Sequence, residues 1–213
     1  MWELLEKGGI VMIPIGFCSI VALAIIFERL WSLRQSQILP ATLLRQVDDL
    51  LESNQLRHTD ESVRHNALQR AQALCRDSQS AFGNILWVVI SHLGQRRPIL
   101  KEMVEEAGRQ EVNFMERYLG LLGTIASISP LLGLLGTVLG MMKIFTVIAE
   151  GGIGNPTALA GGIYEALITT VAGLVVAIPT LAMHRFLESK ITHYVAELEQ
   201  HAIRVVDHIK SGH

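Results

Sequence analysis

Charge and cysteine are scarce in this chain: Asp, Glu, Lys and Arg make up 18% of its 213 residues, and there are two cysteines. With 50% hydrophobic residues and a mean hydropathy of +0.36, so little charge does not suit a soluble domain of this length. Part of the chain is expected to face lipid. Cys18 lies in an apolar run and Cys75 in a distant polar stretch, which argues against a structural disulfide, and neither spacing is that of a metal site. His58, His65, His193, His201 and His208 do not repeat at one helical turn as paired ligands would, so no metal and no cofactor are expected. The net charge of −2 is a small sum over an uneven distribution and by itself says nothing about nucleic acid, but there is no basic aromatic patch, so no nucleic-acid partner is expected. There is no nucleophile elbow, Walker loop or Gly-x-Gly-x-x-Gly fingerprint, so neither an enzyme nor direct use of ATP is indicated.

What the chain does have is long apolar runs. Gly8 to Phe27 is twenty residues without a charge, enough to cross a hydrocarbon core of roughly 30 Å at about 1.5 Å per residue. It follows acidic Glu3 and Glu6 and shows no small-x-small cleavage site before Glu28 and Arg29, so it reads as a retained span rather than a signal peptide. A second run extends from Tyr118 to Met142 and continues in character to Ala149; a third, Gly161 to Met183, is broken only by Glu165. The intervening Gly151, Gly152, Gly154, Asn155 and Pro156 mark a loop. The apolar stretch Phe82 to Leu93 is short and carries Gly83, Asn84, Ser91 and His92, so it reads as a buried helix of a soluble region.

Of the eighteen basic residues, sixteen fall in Arg29 to Arg117 and Arg185 to Lys210. By the positive-inside rule those segments are cytoplasmic and the N-terminus external. The expected organisation is an external N-terminus at 1–9, spans at 10–31, 118–149 and 161–186, a cytoplasmic helical region at 32–117, an external loop at 150–160 and a cytoplasmic C-terminal helix at 187–213. Leu43, Leu44, Val47, Leu50 and Leu51 form one amphipathic face. Leu100, Met103, Val104, Ala107, Phe114, Met115 and Tyr118 form another, which predicts one helix running into the second span. In the tail, Ile191, Val195, Leu198, Ala202, Val205 and Ile209 make a heptad seam that packs either on the chain's own helices or in an oligomeric bundle.

The second span is dense in small residues, including Pro130, Gly133, Gly136 and Gly140, and the third carries Gly162, Ala166, Thr170, Gly173 and Ala177 on one face. Any one glycine is accounted for by close packing of the two spans on each other. Thr137 and Thr170 stand near mid-membrane depth, and hydroxyls there either bond their own backbone or together offer donors and acceptors to an ion or a protonated carboxyl. The combined reading is that the small, hydroxyl-bearing faces turn to a wet or partner-filled axis. Glu165 either serves that pathway or snorkels to the surface at a helix N-terminus. Lys143 reaches Glu150 or the outer interface, and no role is assigned to it. No Asp or His lies between Thr137 and Thr170, so a relay through the membrane needs a carboxylate from a partner helix.

Ala126 to Met142 (ASISPLLGLLGTVLGMM) and Gly162 to Pro179 (GIYEALITTVAGLVVAIP) resemble the signatures of the MotA/TolQ/ExbB proton-channel family, and Ala24 to Trp31 (AIIFERLW) resembles its first span. The single span before the cytoplasmic region is similar to ExbB first and TolQ second; flagellar MotA has two. The resemblance implies an all-α membrane protein of the bacterial inner membrane that assembles as a homo-pentameric ring around a single-span ExbD- or TolR-like partner carrying an Asp. It also implies a pathway through Thr137, Thr170 and Glu165, and work on a TonB- or TolA-like protein for outer-membrane transport. An envelope-maintenance motor of TolQ type, a sodium-driven variant and a non-conducting scaffold are the alternatives.

Overall fold

The computed structural model describes residues 9–52, 61–149 and 156–210, and all regular structure among them is helical. In chain order the helices are α1 (Met12–Ser32), α2 (Gln35–Ile38), α3 (Ala41–Glu52), α4 (Glu61–Ser78), α5 (Ala81–Ser91), α6 (Arg97–Met115), α7 (Leu119–Ala149) and α8 (Pro156–Lys210). Three of these, α1, α7 and α8 within Leu159–Asp207, are long and apolar enough to cross a membrane. Glu3, Glu6, most of the expected N-terminal segment, His58 and the loop residues Glu150 to Asn155 lie outside the described residues.

The chain divides into two compact units. The first takes Tyr118–Leu187 together with the chain up to Arg29. Its outward surface is apolar, with Ile13, Phe17, Ile20, Leu131, Leu134, Val175 and Ile178 all exposed, as expected of helices solvated by hydrocarbon. Arg29 is 2% exposed, paired with Glu28 and 5.6 Å from the Tyr118 ring, so its charge is buried with partners.

The second unit comprises Leu30–Arg117 and Glu188–His213, and its core is built on α5. Ser80 caps that helix by accepting a hydrogen bond from the Gly83 amide at 3.0 Å. Phe82, Ile85, Leu86 and Val89 are then essentially inaccessible, and α5 packs on α4 and α6. At eleven residues it is a core helix and not a span. Of the first amphipathic face, Leu43 and Val47 are buried; the side chains of Leu50 and Leu51 lie outside the described residues.

Two expectations about helices are refined. The tail seam is buried within one copy of the chain: Ile191, Leu198, Ala202 and Val205 are at most 5% exposed, with Tyr194 donating to the Leu33 carbonyl and Arg97 paired to Asp207 at 2.6 Å. Of the two packings open to it, the intramolecular one is realised; the Ile209 side chain lies outside the described residues.

The single helix expected from Leu100 into the second span is a correction. α6 ends at Met115, Glu116 caps it, and Tyr118 takes a left-handed φ of +66° before α7 starts at Leu119. A left-handed tyrosine costs roughly 1–2 kcal/mol relative to the helical state, and its ring contact with Arg29 helps offset this. Phe114 and Tyr118, placed on that amphipathic face, are 60% and 44% exposed, whereas Leu100, Val104 and Met115 of the same face are buried.

Candidate functional site

The packing of α7 on α8 is set by a seam of small residues. On α7 the buried line runs Leu122, Ala126, Ser129, Gly133, Gly136, Gly140 and Ile144, at helical spacings of four and three. On α8 it runs Ala166, Thr169, Gly173, Ala177 and Thr180. A Cβ added at Gly140 would stand 2.9 Å from the Ala166 Cβ and 3.0 Å from the Gly162 carbonyl. One added at Gly133 would stand 3.0 Å from the Thr169 carbonyl, and one at Gly173 would stand 2.5 Å from the Ser129 carbonyl. At Gly136 it would collide with the Thr169 side chain, and at Gly162 it would meet Ile144 at 2.5 Å. The glycines therefore serve backbone-to-backbone approach of α7 and α8 within one chain. This corrects the expectation that both small faces turn to a lumen. The small side chains face each other, and Leu167, Leu174, Ile178 and Leu181 face outward.

Pro130 is half-buried inside α7 and lacks the amide that would bond the Ala126 carbonyl. Beside it, Ser129 is fully buried and donates to the Ile125 carbonyl at 2.7 Å.

The threonines divide between seam and edge. Thr169, beside Thr170 in the chain, is the buried one at 1% exposure, and it donates to the Ala166 carbonyl at 2.8 Å. Thr170 is half-buried at the seam's edge, its hydroxyl shared between the Gly133 carbonyl of α7 at 3.3 Å and the Ala166 carbonyl at 3.5 Å. Thr137, one turn beyond Gly133, donates to the Leu134 carbonyl at 2.6 Å. The Thr137 hydroxyl hydrogen is thus committed to main chain, whereas that of Thr170 is held only by long contacts, and both oxygens keep lone pairs. Those lone pairs can accept from a protonated carboxyl or from the water of a hydrated ion.

Glu165 sits in the first turns of α8, and its side chain is 21% exposed. Lys143 of α7 donates to both its oxygens, at 2.6 Å to Oε1 and 2.9 Å to Oε2. The fork is a charge-assisted, two-point contact. Lys143 therefore has a defined partner, and that partner is Glu165. The sequence held the signal: Lys143 lies six residues after Thr137 and Glu165 five before Thr170, so two antiparallel spans that level their threonines also level these charges. Glycine at position 9, with φ +67°, lies directly against Glu165 Oε1, where a Cβ would collide with it. Alongside the pair runs a cleft of about 510 Å³ lined by Ile10, Val11, Gly136, Leu139, Met142, Lys143, Thr146 and Glu165. No cluster of His, Cys, Asp or Glu among the described residues could hold a metal ion.

Comparison with known proteins follows the same lines. The profile of the MotA/TolQ/ExbB proton channel family matches residues 60–200. A Synechocystis sp. protein named as biopolymer transport protein ExbB-like 1 is 35% identical over 194 residues, which cover 86% of this chain and 68% of the relative. Biopolymer transport protein exbB1 of Vibrio cholerae is 29% identical over 213 residues, covering 96% of this chain and 86% of its own. The biopolymer transport protein ExbB of Salmonella typhimurium is 40% identical over 107 residues, 50% of this chain and 42% of that protein. The family is one of channel subunits and not of enzymes. With three apolar helices, a small-residue seam between the last two and a family profile matched over most of its length, the chain belongs to the MotA/TolQ/ExbB proton channel family.

Proposed function

We propose that this chain is the wall subunit of an ExbB-type proton-driven motor. Five copies form a ring in the bacterial inner membrane, with N-termini periplasmic and tails cytoplasmic. The ring encloses the spans of an ExbD- or TolR-like partner whose Asp carries the proton. Thr137, Thr170 and Glu165 line the pathway, and Pro130, Gly133, Gly136, Gly140, Gly162, Ala166, Gly173 and Ala177 hold the wall at the close spacing that keeps those groups in place. Proton flux turns ring and partner relative to each other and drives work on a TonB-like protein. One charge falling through 100 mV supplies about 2.3 kcal/mol, so a few protons suffice to move a packed interface.

The observation that carries this reading is Glu165, a carboxylate in an apolar span. Ionisable residues inside spans are rare and mark ion pathways by default, and the Lys143 ammonium at 2.6 and 2.9 Å supplies the partner that such a group needs in an apolar span. Support also comes from the lone pairs at Thr137 and Thr170, which suit a carrier passing as neutral carboxylic acid: its O–H donates and the wall accepts.

Packing alone favours a second reading, a non-conducting scaffold, since the glycine seam is fully used in joining α7 to α8. Thr170→Val separates the two. It keeps the shape and removes a hydroxyl held by long bonds of 3.3 and 3.5 Å, so folding changes by less than about 1 kcal/mol. Energy-dependent transport is expected to collapse while ring assembly persists. Transport at wild-type rates from a normally assembled variant would favour the scaffold.

A further inference from the structure

We infer that Lys143 sets the ion specificity of the pathway by occupying the Glu165 carboxylate and so rejecting sodium. This rests on the proposed channel function and assigns a role to a residue that the pathway itself does not require.

The argument begins with what each ion needs. A sodium ion entering an apolar span sheds water and must replace it with several oxygen ligands, the strongest being an uncompensated carboxylate; rings of Asp or Glu build cation channels for this reason. Glu165 has no such vacancy. Lys143 contacts both oxygens at 2.6 and 2.9 Å, and Gly9 closes on Oε1 from α1's side. The pair carries no net charge, so it does not concentrate metal cations in the adjoining cleft of about 510 Å³. The ammonium also repels any cation that would approach the carboxylate through that cleft.

A proton needs no coordination shell. It moves by hops between hydrogen-bonded oxygens or travels as the O–H of a neutral carboxylic acid, and a neutral ion pair does not oppose either. Lys143 is 61% exposed on its side chain, so it stands on the cleft where an arriving ion would meet it, and Glu165 lies behind it at 21%. The arrangement is asymmetric: removing the lysine uncovers a carboxylate in a cleft already large enough for a partly hydrated cation.

The test uses membrane vesicles that hold the chain together with its Asp-bearing single-span partner. Proton flux is read with a pH-sensitive dye and sodium entry with sodium-22, at a fixed membrane potential. Wild type is expected to move protons at a rate indifferent to added sodium. Lys143→Met, which keeps much of the side chain and removes the charge, is expected to raise sodium entry relative to proton flux by roughly tenfold, the scale of one screened charge beside a carboxylate. Lys143→Arg is expected to keep the wild-type ratio. The readout is a ratio of two ions in one preparation, so partial loss of assembly does not mimic it; Lys143→Gln repeats the test in a polar side chain should the Met variant fail to assemble. A ratio unchanged in both Met and Gln variants would overturn the inference. So would sodium-driven flux through the wild type, an outcome that leaves the channel reading standing. Absence of both fluxes from an assembled wild-type complex would instead sink the channel reading, and the inference with it.

Discussion

Cys75 shows how far a single buried group departs from its ordinary chemistry. It is 1% exposed in the core around α5, and burial pushes its thiol up from 9.0 to about 11. Because the thiolate is the reactive form, only about a thousandth of it is present at pH 8, against about a tenth for a thiol at 9.0. In a Cys18→Ser background, alkylation of Cys75 by iodoacetamide at pH 8 is expected to be about a hundredfold slower in the folded chain than in detergent-denatured chain, rising about tenfold per pH unit until pH 11. Equal rates in the two states would show the site to be open. Sequence reading misses the Lys143–Glu165 pair, giving Lys143 Glu150 or the outer interface instead, although counting depth from the two threonines levels the two charges. Thr169 against Thr170 was not legible: from Ala166, positions three and four residues on both satisfy a helical face, and only contact with Gly136 decides between them.

At the scale of the element, the same small residues that make a pathway plausible also determine whether α7 and α8 can join at all. Gly173 faces the Ser129 carbonyl and the Gly133 main chain, and neither can rotate away as a side-chain tip would. Gly173→Ala is therefore expected to force the helices apart and to cost about 1–3 kcal/mol, the usual range for overpacking a close contact. Gly120→Ala, where a Cβ meets nothing within 4 Å, is expected to be near neutral or slightly stabilising through higher helix propensity. Thermal melts of the two variants in one detergent check the contrast, and comparable losses would mean that glycine is needed for something other than this approach. Three spans, a short apolar core helix and a tail seam could all be read from periodicity and length, because each buries a face whose spacing is fixed by 3.6 residues per turn. The interruption between α6 and α7 could not. It turns on a left-handed tyrosine with no Gly or Pro at the break, and the apolar spacing continues across it.

For the whole molecule, the question is which side of the membrane each segment occupies, and composition bears on it more strongly than any single contact. The segments holding sixteen of eighteen basic residues flank the apolar helices, whereas Glu150 to Asn155 contain no Lys or Arg. Transferring so many cations outward against the membrane potential costs about 2.3 kcal/mol per charge per 100 mV, so the basic segments are expected to remain inside. In a chain freed of its own cysteines by Cys18→Ser and Cys75→Ala, a membrane-impermeant maleimide is expected to label Asn155→Cys in intact spheroplasts. Under the same conditions Ser211→Cys is expected to stay unlabelled until inverted vesicles are used. The reverse pattern would place Glu165 and Lys143 at the cytoplasmic mouth and make the pair an exit feature, so the direction in which it screens ions would have to be inverted. Labelling of both positions from one side would require an even number of crossings between them, which contradicts a single passage of α8 and with it the antiparallel levelling of Thr137 with Thr170.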